Sequence, residues 1–156
     1  MLPAPTAIAI LSTAPKSEAL PTLLEVAQNT NDPATRVEAI RVLGGYEPAR
    51  KTLIDISRNA GEKDDARAAA LSALYAGDRD NIVQYATPIL TSGETSPALQ
   101  TLAIQMTTNV RQAMTYRFNA KRADVYDRLV ARLAREGAPQ VRKAAQTYIE
   151  TVRPRY

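Results

Sequence analysis

Apolar positions recur along the whole chain at intervals of three and four residues, the spacing that places side chains on one face of an α-helix. No stretch alternates apolar and polar residues for long enough to predict a β-strand. The connections between the helical stretches are short, so consecutive helices are expected to be antiparallel neighbours. The pattern predicts helices over residues 5–13, 17–29, 33–44, 47–60, 64–76, 79–92, 97–116, 121–136 and 139–152.

Proline and glycine mark where these helices begin and end. Pro33 and Pro97 stand at first helical positions, where the missing N–H costs nothing, and Asp32 and Ser96 precede them as N-caps. Glycines follow the helical runs at Gly44-Gly45, Gly61, Gly77, Gly93 and Gly137. We expect them to adopt the left-handed backbone conformation that ends many helices.

One short pattern returns four times, centred on an alanine that follows three residues after an arginine or glutamine. The central alanines are spaced by 31, 33 and 42 residues (70−39, 103−70 and 145−103), and an apolar helix precedes each copy. They are Ala39, Ala70, Ala103 and Ala145. A single helix pair cannot bury its apolar face, so repeated faces must stack on one another. The alanine is then expected where two helices approach most closely.

These copies predict one domain over residues 1–156. It consists of a half-repeat at residues 3–13 and helix-pair repeats at about residues 17–45, 46–77, 78–110 and 119–153, with a longer connection at residues 110–120.

The second helices of these repeats carry the segments DPATRVEAIRVL, DDARAAALSAL and APQVRKAAQTYI, which begin at Asp32, Asp64 and Ala138. The segments resemble the second-helix signature of HEAT repeats, particularly of the short bacterial HEAT-like class. The resemblance covers about residues 17–152 and implies an all-α fold, a right-handed α-solenoid of antiparallel helix pairs. The third copy departs from the pattern, with Gln100 in place of arginine and Thr107 in place of leucine.

The repeated arginine has two interpretations. It reaches a carboxylate or a helix C-terminal carbonyl in the adjacent repeat, which gives a structural ladder, or it faces solvent on the inner surface and binds a partner. The repeat pattern favours the ladder but leaves both interpretations open.

In a HEAT-like solenoid the second helices are expected to line a concave side. The non-core positions exposed there would be Arg36, Arg41, Arg67, Ser72, Gln100, Gln105, Arg142, Lys143 and Gln146. A rigid curved surface of this kind suits an extended segment or a helix of another protein. The leading interpretation is therefore a non-enzymatic protein-interaction module or scaffold whose partner is another protein.

The composition narrows the possible chemistry. The chain has no Cys and no His, so thiolate and imidazole metal ligands, cysteine nucleophiles and the commonest general base are absent. We predict no catalytic residue, no metal site and no cofactor. No apolar run approaches the roughly 18 residues of a membrane span, and the first residues lack the basic region of a signal peptide. The compartment is left undecided.

Charge is distributed unevenly and supports a second interpretation. Residues 1–110 carry 9 Lys+Arg against 12 Asp+Glu, a net charge of −3, whereas residues 111–156 carry 11 against 4, a net charge of +7. On the predicted helix 121–136 a basic stripe of Lys121, Arg128, Arg132 and Arg135 lies beside an apolar face of Val125, Tyr126, Leu129 and Leu133.

This basic third predicts nucleic-acid binding as the alternative function, in the manner of HEAT-like DNA-alkylation-repair proteins. A bilin-lyase-like accessory protein is a further alternative, because similar repeats occur in that class.

Overall fold

A computed structural model of the chain describes residues 6, 8, 10, 13, 15–113 and 120–152, and for residues 120–124 it describes the backbone alone. Within these residues the chain forms eight α-helices and two short 3-10 turns, with no β-strand. The prediction of an all-α fold is confirmed for this part of the chain. Contacts divide the chain into two compact units, Met1–Asp78 and Arg79–Tyr156. The single predicted domain stays a prediction.

The first unit contains two helix pairs. Helix α1 (Lys16–Asn29) packs against α2 (Pro33–Leu43), and α3 (Arg50–Arg58) packs against α4 (Asp64–Gly77). The second helices of the two pairs, α2 and α4, also pack against each other. A 3-10 turn over Glu47–Ala49 leads into α3, so the predicted helix over residues 47–60 is a turn followed by a shorter helix.

The second unit repeats this arrangement. Helix α5 (Ile82–Thr91) packs against α6 (Pro97–Ala113), and α7 (Ala120–Glu136) packs against α8 (Pro139–Val152). The second helices α6 and α8 again pack side by side, and α5 also contacts α7. Each unit therefore holds two helix pairs joined through their second helices.

The repeated alanines lie at the helix contacts, as predicted. Ala39, Ala70, Ala103 and Ala145 are all fully buried. The next residue is also fully buried in the first three copies, at Ile40, Leu71 and Ile104, whereas Gln146 in the fourth copy is exposed. Because a side chain larger than a methyl group would overpack these contacts, the alanine lets neighbouring helices approach closely.

The predicted N-caps are confirmed. The Asp32 carboxylate accepts a hydrogen bond from the Thr35 backbone N–H at 2.9 Å and a second one from the Thr35 hydroxyl, and these bonds lower the pKa of Asp32. At the start of α6, the Ser96 hydroxyl oxygen accepts a hydrogen bond from the Leu99 backbone N–H at 3.2 Å. The bonds from the Thr35 and Leu99 N–H groups each satisfy a donor that the first helical turn leaves unpaired.

The prediction of left-handed glycines is wrong. All six glycines lie in the described residues, and none has a positive φ. At Gly44 and Gly77 glycine serves close packing between two helix ends instead. A Cβ added to Gly44 would lie 3.0 Å from backbone atoms of Ala73, and one added to Gly77 would lie 2.5 Å from the Gly44 carbonyl oxygen. The ends of α2 and α4 meet here because neither glycine carries a side chain.

Other predicted features are only partly described. The half-repeat at residues 3–13 and the connection at residues 110–120 lie largely outside the described residues. Val125, predicted on the apolar face of α7, is 55% exposed, because Tyr126, Leu129 and Val130 form the buried face and Val125 lies at its edge. None of the helices in the described part of the chain is both long and apolar enough to cross a membrane.

Candidate interaction surface

Arg36 on α2 connects three segments of the first unit. Its Nε donates to the Ala27 backbone carbonyl near the end of α1, at 2.8 Å. Its two terminal nitrogens donate to the two carboxylate oxygens of Glu62, each at 2.7 Å. This bidentate contact raises the pKa of Arg36, and only 22% of the arginine side chain is exposed. Since Glu62 belongs to the next predicted repeat, the contact crosses between repeats.

Arg67 on α4 repeats the first of these contacts. Its Nε donates to the Ser57 backbone carbonyl near the end of α3 at 3.3 Å, and its Nη1 lies 3.6 Å from the Asp64 carboxylate. The side chain is 1% exposed, so the prediction that Arg67 is exposed is wrong. Its guanidinium is drawn inward because the last carbonyls of a helix lack partners within that helix.

The two arginines therefore act structurally, each on the carbonyl end of the first helix of its own pair. The second unit does not repeat this contact in the same form. Gln100 stands at the corresponding position of α6 and is partly exposed, whereas Arg142 on α8 is exposed. The ladder interpretation thus describes Arg36, whose Glu62 contact crosses between repeats, better than it describes Arg142.

The remaining predicted residues of the first unit lie apart from these contacts. Arg41 is exposed, and its guanidinium lies 3.5 Å from the Glu38 carboxylate one turn earlier. It borders a hollow of about 480 Å³ at the ends of α2 and α4, where Arg50 already contacts Asp78 at 3.5 Å. Ser72 is partly exposed on α4.

Gln105 and Lys143 line one groove between α6 and α8, which we call the α6–α8 groove. Its volume is about 400 Å³. From α6 it receives the carboxamides of Gln105, Asn109 and Gln112, and from α8 it receives Gln140 and Lys143. Three threonines and Ala144 complete the lining, so Lys143 is its one charged residue.

The polar groups of the groove fall into two classes. The hydroxyls of Thr101, Thr108 and Thr147 each donate to a backbone carbonyl of their own helix, at 2.7, 2.8 and 3.1 Å. The four carboxamides and the Lys143 ammonium have no hydrogen-bond or ion-pair partner among the described residues. The groove therefore presents donors and acceptors that remain available to a ligand.

Three of these carboxamides, Asn109, Gln112 and Gln140, are absent from the predicted site. A signal was present in the sequence, because Thr101, Gln105, Thr108 and Gln112 recur at helical spacing on α6. The repeat pattern covers only the few positions around the central alanine. Asn109 and Gln112 lie beyond it, because α6 continues to Ala113.

A polar network built on two buried tyrosines connects the helices that form the groove. The Tyr126 hydroxyl on α7 lies 2.7 Å from the Thr107 hydroxyl on α6. The Tyr148 hydroxyl on α8 donates to Asp127 at 2.6 Å, and Arg111 of α6 donates to the same carboxylate oxygen at 2.9 Å. Thr107 replaces the leucine of the repeat pattern. Its hydroxyl thus forms a hydrogen bond with Tyr126 of α7 that a leucine could not form.

The two tyrosine rings pack edge to face with their centroids 5.5 Å apart, and both side chains are 1% exposed. Burial raises the pKa of Tyr126 and of Tyr148, since a phenolate would lose its hydration there. The bond to Asp127 raises the pKa of Tyr148 further. The hydrogen bonds of these two phenols connect α6 with α7 and α7 with α8.

Two other predicted residues meet elsewhere. Gln146 of α8 and Arg135 of α7 line a hollow of about 580 Å³ between these helices, with Tyr148 in its wall. The nine predicted concave residues are therefore distributed over several surfaces, and the α6–α8 groove brings together only Gln105 and Lys143.

The basic stripe is exposed as far as it is described. Arg128, Arg132 and Arg135 are all exposed on α7, and none has an ion-pair partner among the described residues. A contact between Arg132 and Glu136, expected from their four-residue spacing, is not formed. The side chain of Lys121 lies outside the described residues.

Comparisons with known proteins add no further assignment. A scan against protein-family models, a search of curated proteins and a search of solved structures each found no match.

Proposed function

We propose that this chain is a non-enzymatic protein-interaction module, built as a right-handed HEAT-like solenoid of helix pairs. The buried alanine of each repeat and the side-by-side packing of second helices within each unit support the HEAT-like assignment. The contacts of Arg36 and Arg67 with the carbonyl ends of α1 and α3 add to this support. Rigid stacked helix pairs provide surfaces suited to binding other proteins.

The α6–α8 groove is the observation that carries this proposal. Its carboxamides and Lys143 have no partner within the described chain, while hydrogen bonds from the buried tyrosines Tyr126 and Tyr148 connect the helices around it. Because the walls are preorganised, a partner binds without the cost of ordering them.

A matched pair of variants tests the proposal. In the groove variant Gln105→Arg and Lys143→Glu are combined, and in the control variant Gln28→Arg and Lys51→Glu introduce the same chemical changes at exposed positions of the first unit. Each immobilised protein is incubated with a lysate of the source organism, and each retained protein is then purified and titrated.

A purified protein that binds the wild type and the control variant, but binds the groove variant at least tenfold more weakly, supports the proposal. Retention of the same proteins by all three chains, or retention of none, contradicts it.

Nucleic-acid binding is the second candidate, and it is favoured by the exposed Arg128, Arg132 and Arg135, which have no ion-pair partner among the described residues. Phosphate contacts would make the affinity fall steeply as salt is raised. Fluorescence-monitored titration with duplex and single-stranded DNA tests this, and an affinity that is absent or independent of salt rejects it. No described residue favours the bilin-lyase-like alternative, which stays a prediction.

A further inference from the structure

We infer that the α6–α8 groove binds an extended peptide segment that carries a carboxylate. The inference rests on the proposed interaction function and specifies the class of partner. It follows from three features of the groove: the chemistry of its walls, the spacing of its carboxamides and the charge of Lys143.

The walls match an extended backbone because carboxamides face the groove from both sides. Gln105, Asn109 and Gln112 stand on α6, and Gln140 stands on α8. Each carboxamide has both donors and an acceptor, as a peptide group does. An extended segment presents N–H and C=O groups along both edges, whereas a helix has already used these groups internally. The backbone of a helical ligand would therefore offer the carboxamides no partners along its length.

The spacing along α6 agrees with the repeat of an extended chain. Gln105 and Asn109 are four residues apart, which corresponds to a rise of about 6 Å along the helix. Two residues of an extended chain span about 6.6 Å, after which the same edge presents equivalent groups. The two carboxamides can therefore bond to alternate residues of one peptide that runs along the groove.

The positive charge of Lys143 favours a peptide that carries an acidic group. Lys143 is the one charged residue of the lining and has no described partner. A carboxylate on the peptide would complete an ion pair with it. A nucleic acid fits less well, since a polyanionic backbone requires several cations along its path. Large apolar side chains, which a groove for an amphipathic helix needs, are also absent from this described lining, where Ala144 is the one apolar residue.

The test begins with a display library of linear peptides selected against the intact chain. Selected sequences are synthesised with a fluorescent label and titrated by anisotropy against the wild type, Gln105→Ala and Lys143→Gln. Gln28→Ala and Lys51→Gln are the matched controls, because they make the same chemical changes at exposed positions outside the groove.

We expect Gln105→Ala to weaken binding about fivefold, as for one neutral hydrogen bond. Lys143→Gln should weaken it about threefold, as for an exposed ion pair, and the controls should leave it unchanged. When the carboxylate of the peptide is replaced by a carboxamide, Lys143→Gln should cause no additional loss.

Four outcomes overturn the inference, and the last of them also overturns the proposed function. The first is a selection that yields amphipathic helices, or peptides insensitive to both groove variants. The second is a nucleic acid whose binding is lost in Lys143→Gln. The third is a purified protein partner that needs the groove but binds it only as a folded domain, in which case the interaction function stands. If the library and the lysate both yield no ligand, the inference and the proposed function fail together.

Discussion

The two units place the same small residue at their helix contacts but connect their helices through different polar groups. In the first unit, the buried or half-buried guanidinium of Arg36 and Arg67 bonds to the carbonyl end of a neighbouring helix. In the second unit, the neutral hydroxyls of Tyr126 and Tyr148 and the carboxylate of Asp127 connect three helices.

The difference between the units shows that the buried alanine is a constant feature of the repeat, whereas the polar contact can vary. Every copy keeps a fully buried alanine, because the distance between second helices depends on it. The polar contact varies, since burial demands only that polar groups find partners of some kind. Where the third copy lacks arginine, Thr107 supplies a hydroxyl that pairs with Tyr126 on a different helix.

The largest expected effect comes from removing the buried arginine. Arg67→Ala should lower the free energy of unfolding by about 3–4 kcal/mol, because it leaves a cavity and an unpaired carbonyl at Ser57. Arg142→Ala is the matched control at the corresponding exposed position, and it should change the free energy by less than about 0.5 kcal/mol. Urea denaturation followed by circular dichroism measures both. Equal losses of unfolding free energy in the two variants would show that the repeated arginine stabilises both units to the same extent.

Alkaline pH should destabilise the second unit through its buried phenols. Their pKa values are raised in the folded chain, so the stability they confer is complete below the ordinary tyrosine pKa of about 10 and is lost as pH rises above it toward the folded values. The loss is about 1.4 kcal/mol for each phenol one pH unit above that value.

Tyrosinate absorbance during a pH titration tests this expectation. Tyr126 and Tyr148 should remain neutral until the chain unfolds. The double variant Tyr126→Phe with Tyr148→Phe should lose this late step. Ionisation of all seven phenols within one ordinary transition would contradict it.

Removing one hydroxyl should have a smaller effect. Tyr148→Phe deletes the bond to Asp127 and should cost about 1.5 kcal/mol, while Arg111 still pairs with that carboxylate. Tyr126→Phe should cost less, because the Thr107 hydroxyl also bonds to a carbonyl of its own helix. Urea denaturation measures the free energy of unfolding of both variants. A larger loss in Tyr126→Phe than in Tyr148→Phe would contradict this prediction.

Acid should produce the smallest effect, confined to the first unit. The pKa of Asp32 is lowered in the folded chain, so the stabilisation from this cap is present above its ordinary pKa and is lost as pH falls through the folded value. Ser96, the cap of α6, does not titrate. Hydrogen exchange should show the Thr35 amide losing protection in acid while the Leu99 amide keeps it. In Asp32→Ser the difference should disappear, and a difference that persists would mean that Asp32 is not its cause.

The sequence predicted the features that depend on local order. The caps at Asp32 and Ser96 require only the following helical turn, and the buried alanines follow from a repeated packing requirement at regular spacing. Both kinds of feature are determined by short stretches of consecutive residues, so they can be recognised in the sequence.

Features that depend on distant neighbours were predicted incompletely. Arg36, Arg67 and Arg142 occupy one repeat position, yet their burial depends on which helix end lies beside each of them. Tyr148 and Asp127 are 21 residues apart, and no pattern around either residue indicates the other. The groove was missed in part because Gln105 and Gln140 line one surface only after α6 and α8 have packed together.

The contact between Gly44 and Gly77 restricts how this chain can diverge. An added methyl group at Gly77 would collide with the main-chain carbonyl oxygen of Gly44. Neither a rotamer change nor a second substitution can remove a main-chain oxygen. Related chains that keep this junction are therefore expected to show invariance at both positions instead of compensating pairs. Drift at either glycine would require the two helix ends to separate.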